Sequence, residues 1–146
     1  MAKRSGGIGK SMAHGVMGAW AWFYRRSGGK IGGRVGGAPL LLLTTTGRKS
    51  GQPWTVPVMF QPTDDGWVVI ASNGGAPKHP SWWLNLVSNP EARIEIGREA
   101  HQVTATEAAG EQRERLWRIM TSVNSGFDGY TKKTTRILPV VLLRPH

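Results

Sequence analysis

The chain has 146 residues, 39% of them hydrophobic, with seven Trp, no Cys and a formal net charge of +10. That length and apolar content suit a single domain with a sizeable core and argue against global disorder. The absence of Cys excludes a disulfide framework, a thiolate nucleophile and a cysteine metal site, and fits a reducing cytoplasm. His14, His79, His101 and His146 show no ligand spacing, so no metal is expected and redox chemistry would need an organic cofactor.

The charge is unevenly placed. No Asp or Glu precedes Asp64, whereas Lys3, Arg4, Lys10, Arg25, Arg26, Lys30, Arg34, Arg48 and Lys49 all do. The asymmetry predicts an anionic partner for the N-terminal half: nucleic acid, an anionic membrane surface or a polyanionic ligand. No nucleic-acid module accompanies the charge, so no nucleic-acid partner is expected.

Residues 1–9 are rich in Gly, Lys and Arg. A helix is predicted from Ser11 to Arg26, with Met12, Val16, Ala19, Trp20 and Phe23 at helical spacing and Gly28-Gly29 as its stop. His14, Gly15 and Gly18 interrupt its apolar run, which therefore suits neither a secretory signal nor a membrane span. Aromatic and basic residues together over residues 1–30 would suit peripheral contact with the anionic inner face of a membrane. Docking of the helix on its own domain is the preferred reading. Gly32-Gly33 and Gly36-Gly37 read as a flexible connector, dividing a basic N-terminal segment (1–37) from a second unit (38–146).

Four leucines and three threonines predict a strand at about 39–46. It runs into a turn in which Gly47 and Gly51 are both expected at positive φ around Arg48 and Lys49. Such a turn is either a solvated hairpin tip or a nest of amides and cations for phosphate or carboxylate. A second strand follows over 53–61, where Pro53 and Pro57 suggest an edge or bulge. Asp64-Asp65-Gly66 signals a turn, Trp67 to Ser72 a short apolar strand, and Asn73-Gly74-Gly75 a loop.

Ser81 to Val87 reads as a helix capped by Ser81 or His79-Pro80 and stopped at Asn89-Pro90. Strands at Ala92–Ile96 and His101–Glu107 flank a turn at Gly97-Arg98. A helix from Gly110 to Thr121 places Leu116, Ile119 and Met120 on one face. Ile137 to Leu143 is a final buried strand, its Pro139 again suggesting an edge or bulge. Several short strands with few helices favour a mainly β (α+β) antiparallel barrel over a parallel α/β sheet.

Five segments occur in one order: Thr45-Thr-Gly-Arg-Lys-Ser-Gly-Gln-Pro53, Val56-Pro-Val58, Ala71-Ser-Asn-Gly-Gly75, Lys78-His-Pro-Ser-Trp-Trp-Leu-Asn-Leu86 and Asn89-Pro-Glu-Ala-Arg-Ile-Glu-Ile96. Together they resemble the deazaflavin-dependent nitroreductase family, the coenzyme F420-dependent quinone and nitro reductases of the flavin/deazaflavin oxidoreductase superfamily. The resemblance covers roughly residues 38 to 145. It implies a split β-barrel, FMN-binding-like fold with an N-terminal helix and short flanking helices.

The resemblance also implies a site. Arg48 and Lys49 match positions that bind the phosphate region of F420, and Ser50 and Gly51 complete that turn. Pro57, Val58 and Met59 match the strand lying against the deazaflavin ring. Ser72, Asn73, Gly74, Gly75 and Lys78 form a second cofactor loop. Asn73 stands where close relatives often carry a cation, a role Lys78 would partly fill. Trp82 matches an aromatic beside the cofactor, while Trp83 is assigned to core packing.

Relatives that reduce nitroimidazole prodrugs carry several tyrosines in the segment matching residues 124–130. Here only Tyr130 remains, with Asn124 and Phe127 at other matching positions. The implied reaction is hydride transfer from C5 of reduced F420 to a quinone, enone or lactone, with little action on nitroimidazoles. Tyr130 or a bound water would supply the proton, and Ser72 would contact the cofactor or place the substrate. A homodimer is among the expected assemblies. Two rival readings stand beside this one: the same barrel binding FMN, haem or a fatty acid, and a non-enzymatic basic protein of the membrane surface.

Overall fold

The computed structural model describes residues 18–35, 38–73, 76–123, 129 and 137–146. Helix α1 occupies 18–27 of the described chain. Then come β1 (Arg34–Val35), β2 (Ala38–Thr46), β3 (Pro53–Met59), β4 (Gln61–Thr63) and β5 (Gly66–Ile70). Helix α2 (Ser81–Ser88), β6 (Glu91–Ile96), β7 (Glu99–Glu107), helix α3 (Gly110–Val123) and β8 (Val140–Pro145) complete the order.

All strand pairs are antiparallel, in the order β1-β2-β6-β7-β8-β5-β4, with β3 on the other side of β2. The expected strand over 53–61 is thus two strands. β3 pairs along β2, Phe60 interrupts, and β4 pairs with β5 at the far end of the sheet. One chain segment therefore joins both edges, which curls the sheet into a split barrel. Pro57 lies in β3, which has β2 as its one partner among the described residues, so its missing amide hydrogen breaks no inner ladder.

The apolar runs in β2, β5 and β8 are continuous because both faces of these strands are covered. Leu41, Leu43, Val69, Ala71, Val141 and Leu143 point into the barrel with Trp82, Trp83 and Leu86 of α2. The alternate residues Val68, Ile70, Val140 and Leu142 face outward under Leu116 and Met120 of α3. Leu42, the outward residue of β2, packs under Ala21 and Tyr24 of α1. Glu95, its paired neighbour in β6, shares that covered face and is buried.

Four local expectations change. Pro139 lies before β8 rather than within it; β8 is an inner strand between β7 and β5, and the Pro139 carbonyl accepts the Ala71 amide at 2.9 Å. The Gly32-Gly33 connector is a tied turn, not a loose one: Trp20 Nε1 donates to Gly32 O at 2.8 Å and Leu40 N to Gly33 O at 2.8 Å. Of the two caps expected for helix α2, Pro80 of the His79-Pro80 pair holds the position and Ser81 does not, with no side-chain hydrogen bond. Helix α3 runs two residues further, to Val123. The part of the predicted first helix before residue 18, and Gly36-Gly37, lie outside the described residues.

Candidate cofactor site

The basic turn closes the β2–β3 hairpin, whose last pair is Thr46 with Pro53. Gly47 N donates to Gln52 O and Gly51 N to Gly47 O, both at 2.8 Å. Gly51 takes φ +71, as expected, but Gly47 does not reach positive φ. Gly47 instead leaves room for the Ser50 hydroxyl: a Cβ there would stand 2.5 Å from Ser50 Oγ, which would have to rotate away. Ser50 Oγ also accepts the Gln52 amide at 3.1 Å, so this hydroxyl serves the turn itself.

Arg48 and Lys49 are both exposed, but only one is tethered. Asn85 Oδ1, on α2, accepts the Arg48 amide at 3.1 Å and Arg48 Nη1 at 2.9 Å. Nη1 also donates to Ser81 O at 3.4 Å. Asn85 Nδ2 then donates to Thr45 Oγ1 at 3.0 Å, and both these side chains are 2% exposed. Among the described residues, no carboxylate pairs with Arg48, Lys49 or Lys78.

Helix α2 connects this turn to the second loop. Asn73 adopts φ +49, a conformation asparagine tolerates, and its Nδ2 donates to Lys78 O at 2.9 Å, closing the chain just before α2. The Asn73 amide thereby folds the loop, which gives its departure from a cation a structural use. Lys78 is exposed and Ser72 buried; Gly74 and Gly75 lie outside the described residues, as do Tyr130, Asn124 and Phe127.

Val58 joins Ala71 and Trp82 in the barrel core, while Pro57 and Met59 are half-buried on either side of it. Trp82 and Trp83 are buried to the same degree and both belong to that core. The structure thus brings the basic turn onto α2, and the start of α2 against Ala71 and the Val58 wall. Its donor set of exposed cations with glycine-freed backbone, beside an apolar strand, fits a ligand with an anionic end and a flat ring.

Two residues beyond the sequence expectations tie elements together, Asn85 at this site and Tyr24 on the separate face of the sheet that α1 covers. Asn85 was legible only as a polar side chain in the apolar run Trp82-Trp83-Leu84-Asn85-Leu86, and a buried amide of that kind demands partners. Tyr24, 1% exposed, donates toward Leu40 O (3.0 Å) and Glu95 O (3.2 Å) and accepts the Gly97 amide (3.0 Å). Burial raises its pKa above the usual tyrosine value, against the opposing pull of the Gly97 hydrogen bond.

The sequence profile of the F420H(2)-dependent quinone reductases matches residues 17–145. The chain belongs to this family. Membership makes the protein an oxidoreductase of the F420-dependent class. An F420H(2)-dependent quinone reductase of Mycobacterium tuberculosis strain H37Rv is 39% identical over 124 residues, covering 82% of this chain and 83% of the relative. The solved F420-H2 dependent reductase FDR-A superposes with a TM-score of 0.68 at 37% identity, over 73% of this chain and 94% of its own. A second solved chain, described as a domain-swapped dimer, gives 0.70 at 32% identity over 91% and 99%.

Proposed function

We propose that this family member transfers a hydride from reduced F420 to a quinone, with conjugated enones and lactones as further acceptors. The observation that carries the reading is the exposed Arg48-Lys49 turn, locked onto α2 beside the apolar wall of β3. The cofactor supplies the reactive hydride at C5 of its ring.

The chain's own residues bind, orient and shield. Lys49, the Arg48 guanidinium and the Ser50 amide would hold the phosphate, Gly51 shapes the turn with its amide on Gly47 O, and Lys78 adds charge from the second loop. The Pro57, Val58 and Met59 strand would lie against the ring, with the Val58 side chain packed on Trp82 in the barrel core and Met59 turned toward α3. Ser72, Asn73, Gly74 and Gly75 would offer the cofactor backbone and one hydroxyl. Reduction of a quinone needs one proton after the hydride, and Tyr130 or a bound water donates it to the nascent oxygen.

The reading extends to setting and assembly: a cytoplasmic enzyme with a basic segment (1–37) ahead of its barrel (38–146). A homodimer is supported by the domain-swapped dimer described for a relative. Exposed Trp22 (58%) and Phe23 (48%), with Arg26 and Lys30 nearby, support peripheral contact with an anionic membrane. No described helix is long and apolar enough to cross one.

The test is turnover of reduced F420 with a menaquinone analogue, an unsaturated lactone and a bicyclic nitroimidazole. The first two are expected to react and the last to react poorly, because residues 124–130 offer one phenol. Tyr130→Phe should slow turnover by about ten-fold or more. Rapid nitroimidazole reduction by the unaltered protein, or none with any quinone, overturns the substrate assignment.

A further inference from the structure

The geometry points to Asn85 as the positioning residue of the anion-binding turn: it holds Arg48 in place, so that the Lys49 side chain and the Lys49 and Ser50 amides meet the cofactor phosphate already arranged. This rests on the cofactor reading above. A single oxygen, Asn85 Oδ1, receives both the main-chain amide (3.1 Å) and the guanidinium (2.9 Å) of Arg48. One acceptor thereby fixes two points of one residue, its backbone and the far end of its side chain. The acceptor is itself immobile, because Asn85 is buried on α2 and donates to the equally buried Thr45 hydroxyl on β2. Three of the four hydrogen bonds open to this amide are thus spent on the turn and the strand leading into it.

The division of labour between the two cations follows. Arg48 is bound back to α2 through Asn85 Oδ1 and Ser81 O, whereas no hydrogen bond or ion pair engages Lys49 among the described residues. Lys49 is the cation able to follow a ligand, and Arg48 the one that shapes the turn while lending its charge. A turn prearranged in this way loses little freedom when an anion arrives, so affinity depends on the tether as well as on the charges. A purely architectural Asn85, serving only to satisfy the α2–β2 contact, would affect stability and leave the folded protein's affinity alone.

The two roles are separated by a double-mutant cycle on cofactor affinity. F420 binding is titrated for wild type, Asn85→Ala, Arg48→Ala and the double variant, each confirmed folded by circular dichroism. Positioning predicts that Asn85→Ala weakens binding by about ten-fold, and by markedly less when Arg48 is already alanine, as for residues sharing one hydrogen-bond network. In steady state the loss should fall on KM for reduced F420, with kcat falling far less. Asn85→Ser keeps an acceptor at this position and serves where alanine unfolds the protein; it should recover part of the affinity. Equal losses in both Arg48 backgrounds, or wild-type affinity in a folded Asn85 variant, overturn the positioning role while leaving the cofactor reading standing. Failure of the wild type to bind F420 overturns both.

Discussion

Arg25 and Glu95, 70 residues apart in sequence, meet in a two-point ion pair: Nε lies 2.8 Å from Oε1 and Nη2 2.7 Å from Oε2. The guanidinium side chain is 51% exposed and the carboxylate side chain 12%, so the pair reaches from solvent into the covered face of β6. The hydrogen bond to Glu95 raises the Arg25 pKa, keeping the cation charged throughout the accessible range. Tyr24, the preceding residue, pins the same helix to β2, β6 and the Gly97 turn. Two consecutive residues therefore dock α1 on the barrel, over Leu42.

Arg25→Ala should cost about 1–2 kcal/mol, between the values for exposed and buried pairs, since Glu95 loses its partner while half the guanidinium sits in water. Denaturant unfolding measures it. No change in midpoint would mean that solvent already satisfies Glu95.

Tyr24→Phe should destabilise by about 1–3 kcal/mol near neutral pH, because the half-buried Gly97 amide loses its acceptor. The pH dependence has a definite sign. The folded pKa is raised above the 10.0 of an unperturbed tyrosine, so the neutral phenol's contribution is complete below pH 10.0 and is lost as pH rises through the folded value. Wild type should therefore lose stability more steeply than Tyr24→Phe on the alkaline side. Parallel curves would contradict the assignment.

The barrel was legible because its strands carry their environment in their composition: Leu40 to Leu43 and Val140 to Leu143 are apolar at every step, and both runs are covered on two faces. Pro139 misled because a proline shortly before a strand and a proline inside it look alike without the register. The break at Phe60 was hidden for a related reason: β3 and β4 are one extended run, divided by which edge each half pairs with. Within the site, Arg48 and Lys49 were readable from charge and flanking glycine, but not the difference between them. That difference depends on Asn85, 37 residues downstream, and a tertiary hydrogen bond leaves no local spacing to read.

Leu116→Ala should cost about 2–5 kcal/mol, since Leu116 is fully buried between α3 and the outer face of β5 and β8. Val87→Ala, on the exposed side of α2, should stay within about 0.5 kcal/mol. Similar losses at both positions would contradict the division between core and surface.

Trp22 and Phe23 face solvent while their neighbour Tyr24 is buried, so the pair can be changed without undocking α1. Replacing both with Ser should leave the unfolding midpoint nearly unchanged and reduce pelleting with vesicles containing anionic lipid, in a salt-sensitive way. Undiminished pelleting would remove these side chains from any membrane contact.

The most direct measurement is equilibrium titration of the protein with F420, FMN, haem and a fatty acid, repeated with Lys49→Ala. Saturable binding of F420 in preference to the others is expected. The substitution should weaken it by about 10- to 150-fold, the equivalent of one charge-assisted contact of roughly 1.5–3 kcal/mol. Tight binding of FMN or haem without F420, or unchanged F420 affinity in folded Lys49→Ala, would contradict the assignment of this turn as the cofactor's anion site.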